Sequence, residues 1–151
     1  MLSVTPVAPL LGARVGGVDI GSGISPADAA ALRAALDRHQ VLVISGQDIT
    51  DDAQIAFGEG FGALEATRAG ADGAGSKVIV LTNVAADGSI AAPSARQVLK
   101  GRANQAWHHD SSFKPVPARI SILSAREIPS SGDNTEFATM RAAFAALDPA
   151  E

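Results

Sequence analysis

Apolar stretches of only a few residues set the main limit on how this chain of 151 residues can fold. Examples are residues 41–44 and 78–81, both rich in β-branched side chains. Such stretches suit short buried strands, and they fall far short of the ~20 residues that a membrane-spanning helix needs. We therefore expect a globular domain of short elements with no membrane partner.

Capping residues predict where helices begin. Ser25, Pro26 and Asp28 form one start, in which Ser25 caps, Pro26 takes the first helical position and Asp28 completes a capping box. Further helices are predicted over residues 52–61, after Thr50 or Asp51, and over residues 140–147, after Thr139. The first helix is expected to bury Leu32, Ala35 and Leu36 on one face.

Strands are predicted mainly where β-branched residues cluster, at residues 15–20, 41–44, 78–84, 118–125 and 134–137. In residues 118–125, the alternation places Ile120 and Ile122 on one side and Arg119 and Ser121 on the other. No structure is assigned to residues 94–102. Because strands and helices mix in the first half and strands dominate later, the order of elements predicts an α+β fold.

Charge and composition exclude several classes of function. The formal net charge of −4 argues against a nucleic-acid or anionic-membrane partner, since both require clustered Lys and Arg. The absence of cysteine excludes disulfides and thiolate metal sites and fits a reducing compartment, so a cytoplasmic location is expected. Any histidine chemistry must use the only three histidines, at positions 39, 108 and 109.

The residues that most strongly suggest chemistry are His108 and Asp110. In an extended segment, residues i and i+2 point to the same side, so these two side chains converge while His109 points away. Two histidines and one carboxylate, with open positions left on the metal, form the site of non-haem Fe(II) oxygenases. An ordinary hydrogen bond between a histidine and an aspartate on a strand is the alternative reading of this short motif.

The sequence around the motif adds a family resemblance. In the order of its short motifs, the chain closely resembles the taurine/2,4-dichlorophenoxyacetate dioxygenase family. Shorter similar stretches lie at residues 11–13, 17–20, 54–57, 61–65, 117–119, 123–125 and 139–143. The two most telling stretches are Asn104-Gln105-Ala106-Trp107-His108-His109-Asp110-Ser111-Ser112-Phe113 and Ser131-Gly132-Asp133-Asn134-Thr135-Glu136-Phe137.

This resemblance implies a set of roles for individual residues. It implies Fe(II) as the metal, bound by His108 and Asp110, with 2-oxoglutarate and O2 as co-substrates. It implies that Thr135 binds the carboxylate of 2-oxoglutarate and that Asn104 lies at the substrate. The expected reaction is hydroxylation of a small organic acid, best matched by an aryloxyalkanoate such as 2,4-dichlorophenoxyacetate. Taurine or another sulfonate is the alternative substrate.

The chain also departs from the family pattern. The family uses a second histidine ligand and a 2-oxoglutarate-binding arginine further downstream, and neither is found; His39 falls at the end of the first helix. The implied fold is a double-stranded β-helix (a cupin-like jelly roll) with flanking helices, incomplete in this chain. We therefore expect residues 1–151 to be the N-terminal part of a single dioxygenase domain, inactive alone. A non-catalytic, truncated family member is the alternative, and a homo-oligomer is left open.

Overall fold

The structure of the chain is a computed structural model that describes residues 1–65, 75–85, 87–132, 134–148 and 150. The chain divides into two compact units. The first unit comprises Met1–Ala63 and Ser124–Glu151, and the second comprises Leu64–Leu123. Among the described residues, every helix is too short or too polar to cross a membrane.

The first unit contains a three-stranded sheet in the order β1 (Ser3–Pro6), β2 (Ala13–Gly16) and β3 (Leu42–Ile44). Strands β1 and β2 pair antiparallel, and β2 and β3 pair parallel, with Val15 opposite Ile44. The predicted strands at residues 15–20 and 41–44 correspond to β2 and β3, although β2 begins and ends earlier. Strand β1 was not predicted, because its four residues include a proline and lack clear alternation.

Helix α1 (Pro26–His39) confirms the first predicted helix and its cap. The backbone N–H of Asp28 donates to Ser25 Oγ over 3.1 Å, and Ser25 Oγ donates to the Asp28 carboxylate over 2.7 Å. The helix ends at Gln40, which adopts a left-handed backbone conformation with φ +65°. Because α1 connects β2 to β3, the parallel pairing of these strands follows from the helical crossover between them.

Three further helices follow. Helix α2 (Asp51–Glu59) is capped by Thr50, and helix α4 (Met140–Ala145) is capped by Thr139, as predicted, although both end earlier than expected. Helix α3 (Arg96–Ala103) falls in the region to which the sequence assigned no structure. Its first residue follows Ala95, which offers no side-chain cap, so the usual sequence signal for a helix start is missing there.

The hydrophobic core lies in the first unit, between the sheet and helices α1 and α2. Leu32 on α1 is 1% exposed, and Ala35 and the half-buried Leu36 complete the predicted apolar face. On β2, Ala13 and Val15 alternate with exposed neighbours, as expected for a strand with one buried face. The buried apolar side chains are Ala13, Val15, Ile20, Ala29, Leu32, Ala35, Ile49 and Phe57.

The predicted strands at residues 78–84, 118–125 and 134–137 are wrong in this structure. Only an isolated antiparallel bridge joins Val84 to Ile90, across the turn predicted at residues 87–88. No described residue beyond Gly58 is buried, and apart from the bridge at Val84 none of these segments pairs with another described segment, so the burial and pairing that stabilise a strand are missing. A complete jelly roll is therefore not confirmed, and the α+β composition is the part of the fold expectation that the structure shows.

Candidate metal centre

The candidate site lies in the second unit, in an exposed segment that follows α3. Helix α3 ends at Asn104, and two successive turns carry the chain from Arg102 to Ala106. Residues 107–110 come next and belong to no helix or strand. The helix and its turns therefore fix where the segment begins, while the orientation of its side chains depends on their own hydrogen bonds.

His108 and Asp110 converge as the sequence predicted. The Nε2 atom of His108 lies 3.5 Å from Oδ1 of Asp110. The two side chains are 48% and 61% exposed, so solvent and a ligand can reach the space beside both. The i, i+2 spacing thus brings one imidazole nitrogen and one carboxylate oxygen to the same side of the chain.

A backbone hydrogen bond fixes the imidazole of His108. Its Nδ1 lies 2.8 Å from the carbonyl oxygen of Ala106. Because a carbonyl oxygen only accepts, Nδ1 carries the hydrogen in this contact, and in the neutral ring Nε2 keeps its lone pair. Metal-binding histidines are held in this way, with the second ring nitrogen donating to a carbonyl or carboxylate.

A serine hydroxyl fixes the carboxylate of Asp110. Ser121 Oγ donates to Asp110 Oδ2 over 2.8 Å, which leaves Oδ1 as the oxygen facing His108. Sequence reasoning missed Ser121 as a site residue. The signal was present, however, because the alternation in residues 118–125 places Ser121 on the side opposite the half-buried Ile120 and Ile122.

The donor atoms of this pair suit a hard or borderline divalent metal ion. An octahedral ion with ligand distances of about 2.1 Å separates neighbouring donors by about 3.0 Å. The 3.5 Å between His108 Nε2 and Asp110 Oδ1 is close to that separation. The described residues contain no cluster of three metal-ligating side chains, so the structure brings together two of the expected ligands.

The remaining site residues are placed separately. Asn104 is exposed at the C-terminal end of α3, four residues before His108, and its backbone N–H bonds to the carbonyl of Lys100 over 3.2 Å. Thr135 belongs to the first unit, where it is exposed in the irregular segment that leads to α4. His109 is exposed beside the pair, and His39 ends α1.

Comparison with known proteins identifies the class of protein that carries this pair. The chain matches the taurine catabolism dioxygenase TauD, TfdA family over residues 3–151. It therefore belongs to this family, as the resemblance implied. The relatives described next are named as dioxygenases that depend on alpha-ketoglutarate.

Two curated proteins are similar to almost the whole of this chain. The chain is 39% identical over 147 residues to the alpha-ketoglutarate-dependent 2,4-dichlorophenoxyacetate dioxygenase of Cupriavidus pinatubonensis, covering 94% of this chain and 51% of that protein. It is 40% identical over 155 residues to the (S)-phenoxypropionate/alpha-ketoglutarate-dioxygenase of Delftia acidovorans, covering 99% of this chain and 50% of that protein. The chain thus spans about half the length of these curated relatives.

A solved structure is also similar to almost the whole of this chain. The crystal structure of AAD-2 in complex with Mn(II) and N-oxalylglycine matches with a TM-score of 0.87 and 38% sequence identity. The match covers 99% of this chain and 51% of that one. The similarity in sequence and in backbone therefore extends over nearly all of this chain and about half of AAD-2.

Proposed function

We propose that His108 and Asp110 are two of the protein ligands of an Fe(II) ion in a 2-oxoglutarate-dependent dioxygenase. The observation that supports this most directly is the His108 Nε2–Asp110 Oδ1 pair, 3.5 Å apart. Each partner is oriented by a second hydrogen bond, from Nδ1 to Ala106 and from Ser121 to Oδ2. The two donor atoms lie side by side, and the other polar atom of each side chain already has a hydrogen-bond partner. This arrangement suits the binding of one metal ion.

The proposed reaction consumes one O2 and one 2-oxoglutarate for each substrate molecule hydroxylated. One oxygen atom enters the C–H bond of the substrate, and the other enters succinate as 2-oxoglutarate loses CO2. The bound iron would supply the oxidation chemistry. The residues of this chain would hold the ion in place: the imidazole contributes a neutral donor and the carboxylate contributes one negative charge.

We further propose that Thr135 binds the carboxylate of 2-oxoglutarate and that Asn104 contacts the substrate. For the whole protein we propose a jelly-roll domain of which residues 1–151 form the N-terminal part. The remaining iron ligand and a 2-oxoglutarate-binding arginine would lie outside this sequence. The half-length match to the two phenoxyalkanoate dioxygenases supports this division of the site.

The substrate that we propose is an aryloxyalkanoate. The two relatives named above, at 39% and 40% identity, act by name on 2,4-dichlorophenoxyacetate and (S)-phenoxypropionate. A sulfate ester dioxygenase of Pseudomonas putida is less similar, at 33% identity. This difference favours an aryloxyalkanoate over a sulfate ester, and taurine, a sulfonate, stays the alternative substrate.

The test begins with metal binding in the full-length gene product. Fe(II) and 2-oxoglutarate are added without oxygen, and the visible absorption of the bound pair is recorded for the wild type and single variants. His108→Ala should abolish iron binding and Asp110→Ala should weaken it severely, whereas His109→Ala is the matched control and should bind as the wild type does. Full iron affinity in His108→Ala would refute the metal assignment.

Turnover then separates the proposal from the alternatives. Succinate formation is measured with 2,4-dichlorophenoxyacetate and, in parallel, with taurine. Succinate linked to 2,4-dichlorophenoxyacetate supports the proposed substrate, and succinate linked to taurine contradicts it. A second candidate is a non-catalytic family member, favoured by the absence of a third ligand among the described residues. Iron binding with no succinate from either substrate would favour that candidate.

A further inference from the structure

The loop that follows Asp110 is held by one carboxylate from a distant part of the second unit. Ser111 Oγ donates to Glu65 Oε2 over 2.8 Å, and Lys114 Nζ contacts Glu65 Oε1. Glu65 therefore holds the first turn, Ser111 to Lys114, of the segment that runs from Ser111 to Ala118.

This segment connects the two residues whose hydrogen bond orients the candidate metal ligand. It begins directly after Asp110 and ends three residues before Ser121, whose hydroxyl donates to Asp110 Oδ2. Within it, the N–H of Lys114 bonds to the carbonyl of Ser111 over 2.9 Å and closes a turn. The spacing between Asp110 and Ser121 thus depends on a loop whose first turn is bound to Glu65.

The backbone at Ser111 shows why the loop needs an external support. Ser111 has φ +57°, in the left-handed backbone region that residues other than glycine rarely adopt. A residue held there is strained and persists only where its surroundings impose this conformation. The bond from Ser111 Oγ to Glu65 is a contact that can offset this strain immediately beside Asp110.

The charge of Glu65 suits this role. The hydrogen bonds from Lys114 and Ser111 hold the pKa of the Glu65 carboxyl below its usual value, so the side chain stays ionised at neutral pH. An ionised carboxylate accepts from several donors at once and forms the stronger, charge-assisted kind of hydrogen bond. Lys114 and Glu65 are both partly shielded from solvent, with side-chain exposures of 26% and 34%.

We propose that Glu65 is a positioning residue of the metal site: by holding the turn from Ser111 to Lys114, it keeps Asp110 and Ser121 at the separation that aims Asp110 Oδ1 beside His108 Nε2. The inference rests on the proposed function, since it takes Asp110 to be a metal ligand. Glu65 touches neither the metal ligands nor the space between them. Its effect on the metal would act entirely through the loop.

The experiment uses Co(II) alone as the probe, in the full-length gene product. Co(II) affinity and the visible spectrum of bound Co(II) are compared with the thermal unfolding midpoint for each variant. Glu65→Gln should raise the Kd for Co(II) by about tenfold, the lower end of the range for residues that orient metal ligands, and should alter the spectrum. Glu127→Gln, which removes the same charge from an exposed site in the first unit, should change neither.

Three further variants keep the test decisive if Glu65→Gln folds poorly. Ser111→Ala removes one of the donors with minimal change in shape and should raise the Kd by about threefold, in the same direction. Exchange of the charges, Glu65→Lys with Lys114→Glu, should recover part of the affinity that Glu65→Lys alone loses. A simple loss of stability would lower the unfolding midpoint without altering the Co(II) spectrum.

The outcomes separate this inference from the proposed function. If His108→Ala loses Co(II) while Glu65→Gln and Ser111→Ala bind within about twofold of the wild type, the inference is overturned and the metal site stands. An equal loss of Co(II) affinity in Glu127→Gln would also overturn the inference, because the effect would then come from the change in net charge. If His108→Ala binds as well as the wild type, the proposed function fails and the inference fails with it.

Discussion

Ser121 donates its hydroxyl hydrogen to Asp110 Oδ2 over 2.8 Å and so leaves Oδ1 as the oxygen that faces His108. The two residues are eleven positions apart, in a part of the second unit where no strand pairing holds the chain. This hydrogen bond therefore holds the segment in place without strand pairing. It fixes which carboxylate oxygen is available to a metal ion.

Replacement of Ser121 is expected to weaken metal binding. In Ser121→Ala the carboxylate of Asp110 can rotate, so we expect the Kd for Mn(II) or Co(II) to rise by about tenfold. Isothermal titration of the full-length gene product measures the change. Ser121→Thr keeps the hydroxyl and is the matched control, with an affinity close to that of the wild type. Equal affinities for all three proteins would contradict the role given to Ser121.

Removal of the Leu32 side chain should destabilise the first unit. Leu32 is 1% exposed on α1, so Leu32→Ala leaves a cavity that costs about 2–5 kcal/mol of unfolding free energy. Urea unfolding followed by circular dichroism measures this difference. Leu10→Ala deletes the same atoms from a side chain that is 67% exposed in the same unit and should stay within about 0.5 kcal/mol of the wild type. Similar losses in both variants would argue against the core described above.

Thr139 is expected to stabilise both α4 and its contact with α1. Its hydroxyl oxygen accepts from the N–H of Ala142 over 3.3 Å and donates to Gln40 Oε1 over 2.8 Å. Thr139→Ala should therefore cost about 1 kcal/mol, whereas Thr139→Ser keeps both contacts and should cost much less. Chemical unfolding of the two variants tests this, and a Thr139→Ser protein as unstable as Thr139→Ala would show that the methyl group matters instead.

The turn after β2 should make the free energy of unfolding of the protein depend on pH. The side-chain and backbone hydrogen bonds from Ser22 hold the pKa of Asp19 below its usual value of 3.8. A lowered pKa in the folded protein means that the ionised carboxylate stabilises the fold above the unfolded pKa. This contribution is lost as the pH falls through the lower, folded value.

The variant Asp19→Asn tests the sign of this dependence. It should unfold more easily than the wild type at pH 7 and at pH 5, and the difference should shrink as the pH falls below about 3.8, the usual pKa. Thermal unfolding at a series of pH values measures it. A difference that stays constant down to pH 3, or that grows there, would show that the charge of Asp19 is not what stabilises the turn.

Local signals in the sequence were enough for much of the first unit. Ser25, Thr50 and Thr139 were recognised as caps because capping depends only on the few residues around each helix start. The i, i+2 convergence of His108 and Asp110 was predictable for a similar reason, since it depends on the local direction of an extended chain. The family, too, followed from the order of short motifs.

Tertiary structure decided what depends on residues far apart in the chain. The predicted strands at residues 78–84 and 118–125 did not form, because a strand needs a paired neighbour and a core, and the described part of the second unit has no buried residue. Likewise, only the fold shows that Ser121 fixes Asp110 and that Glu65 holds the loop between them. The sequence by itself determined the helix starts after Ser25, Thr50 and Thr139 and the two metal-ligand candidates, because those depend on neighbouring residues. The hydrogen bonds at and beside the candidate ligands join residues up to 49 positions apart, and only the folded chain brings them within reach.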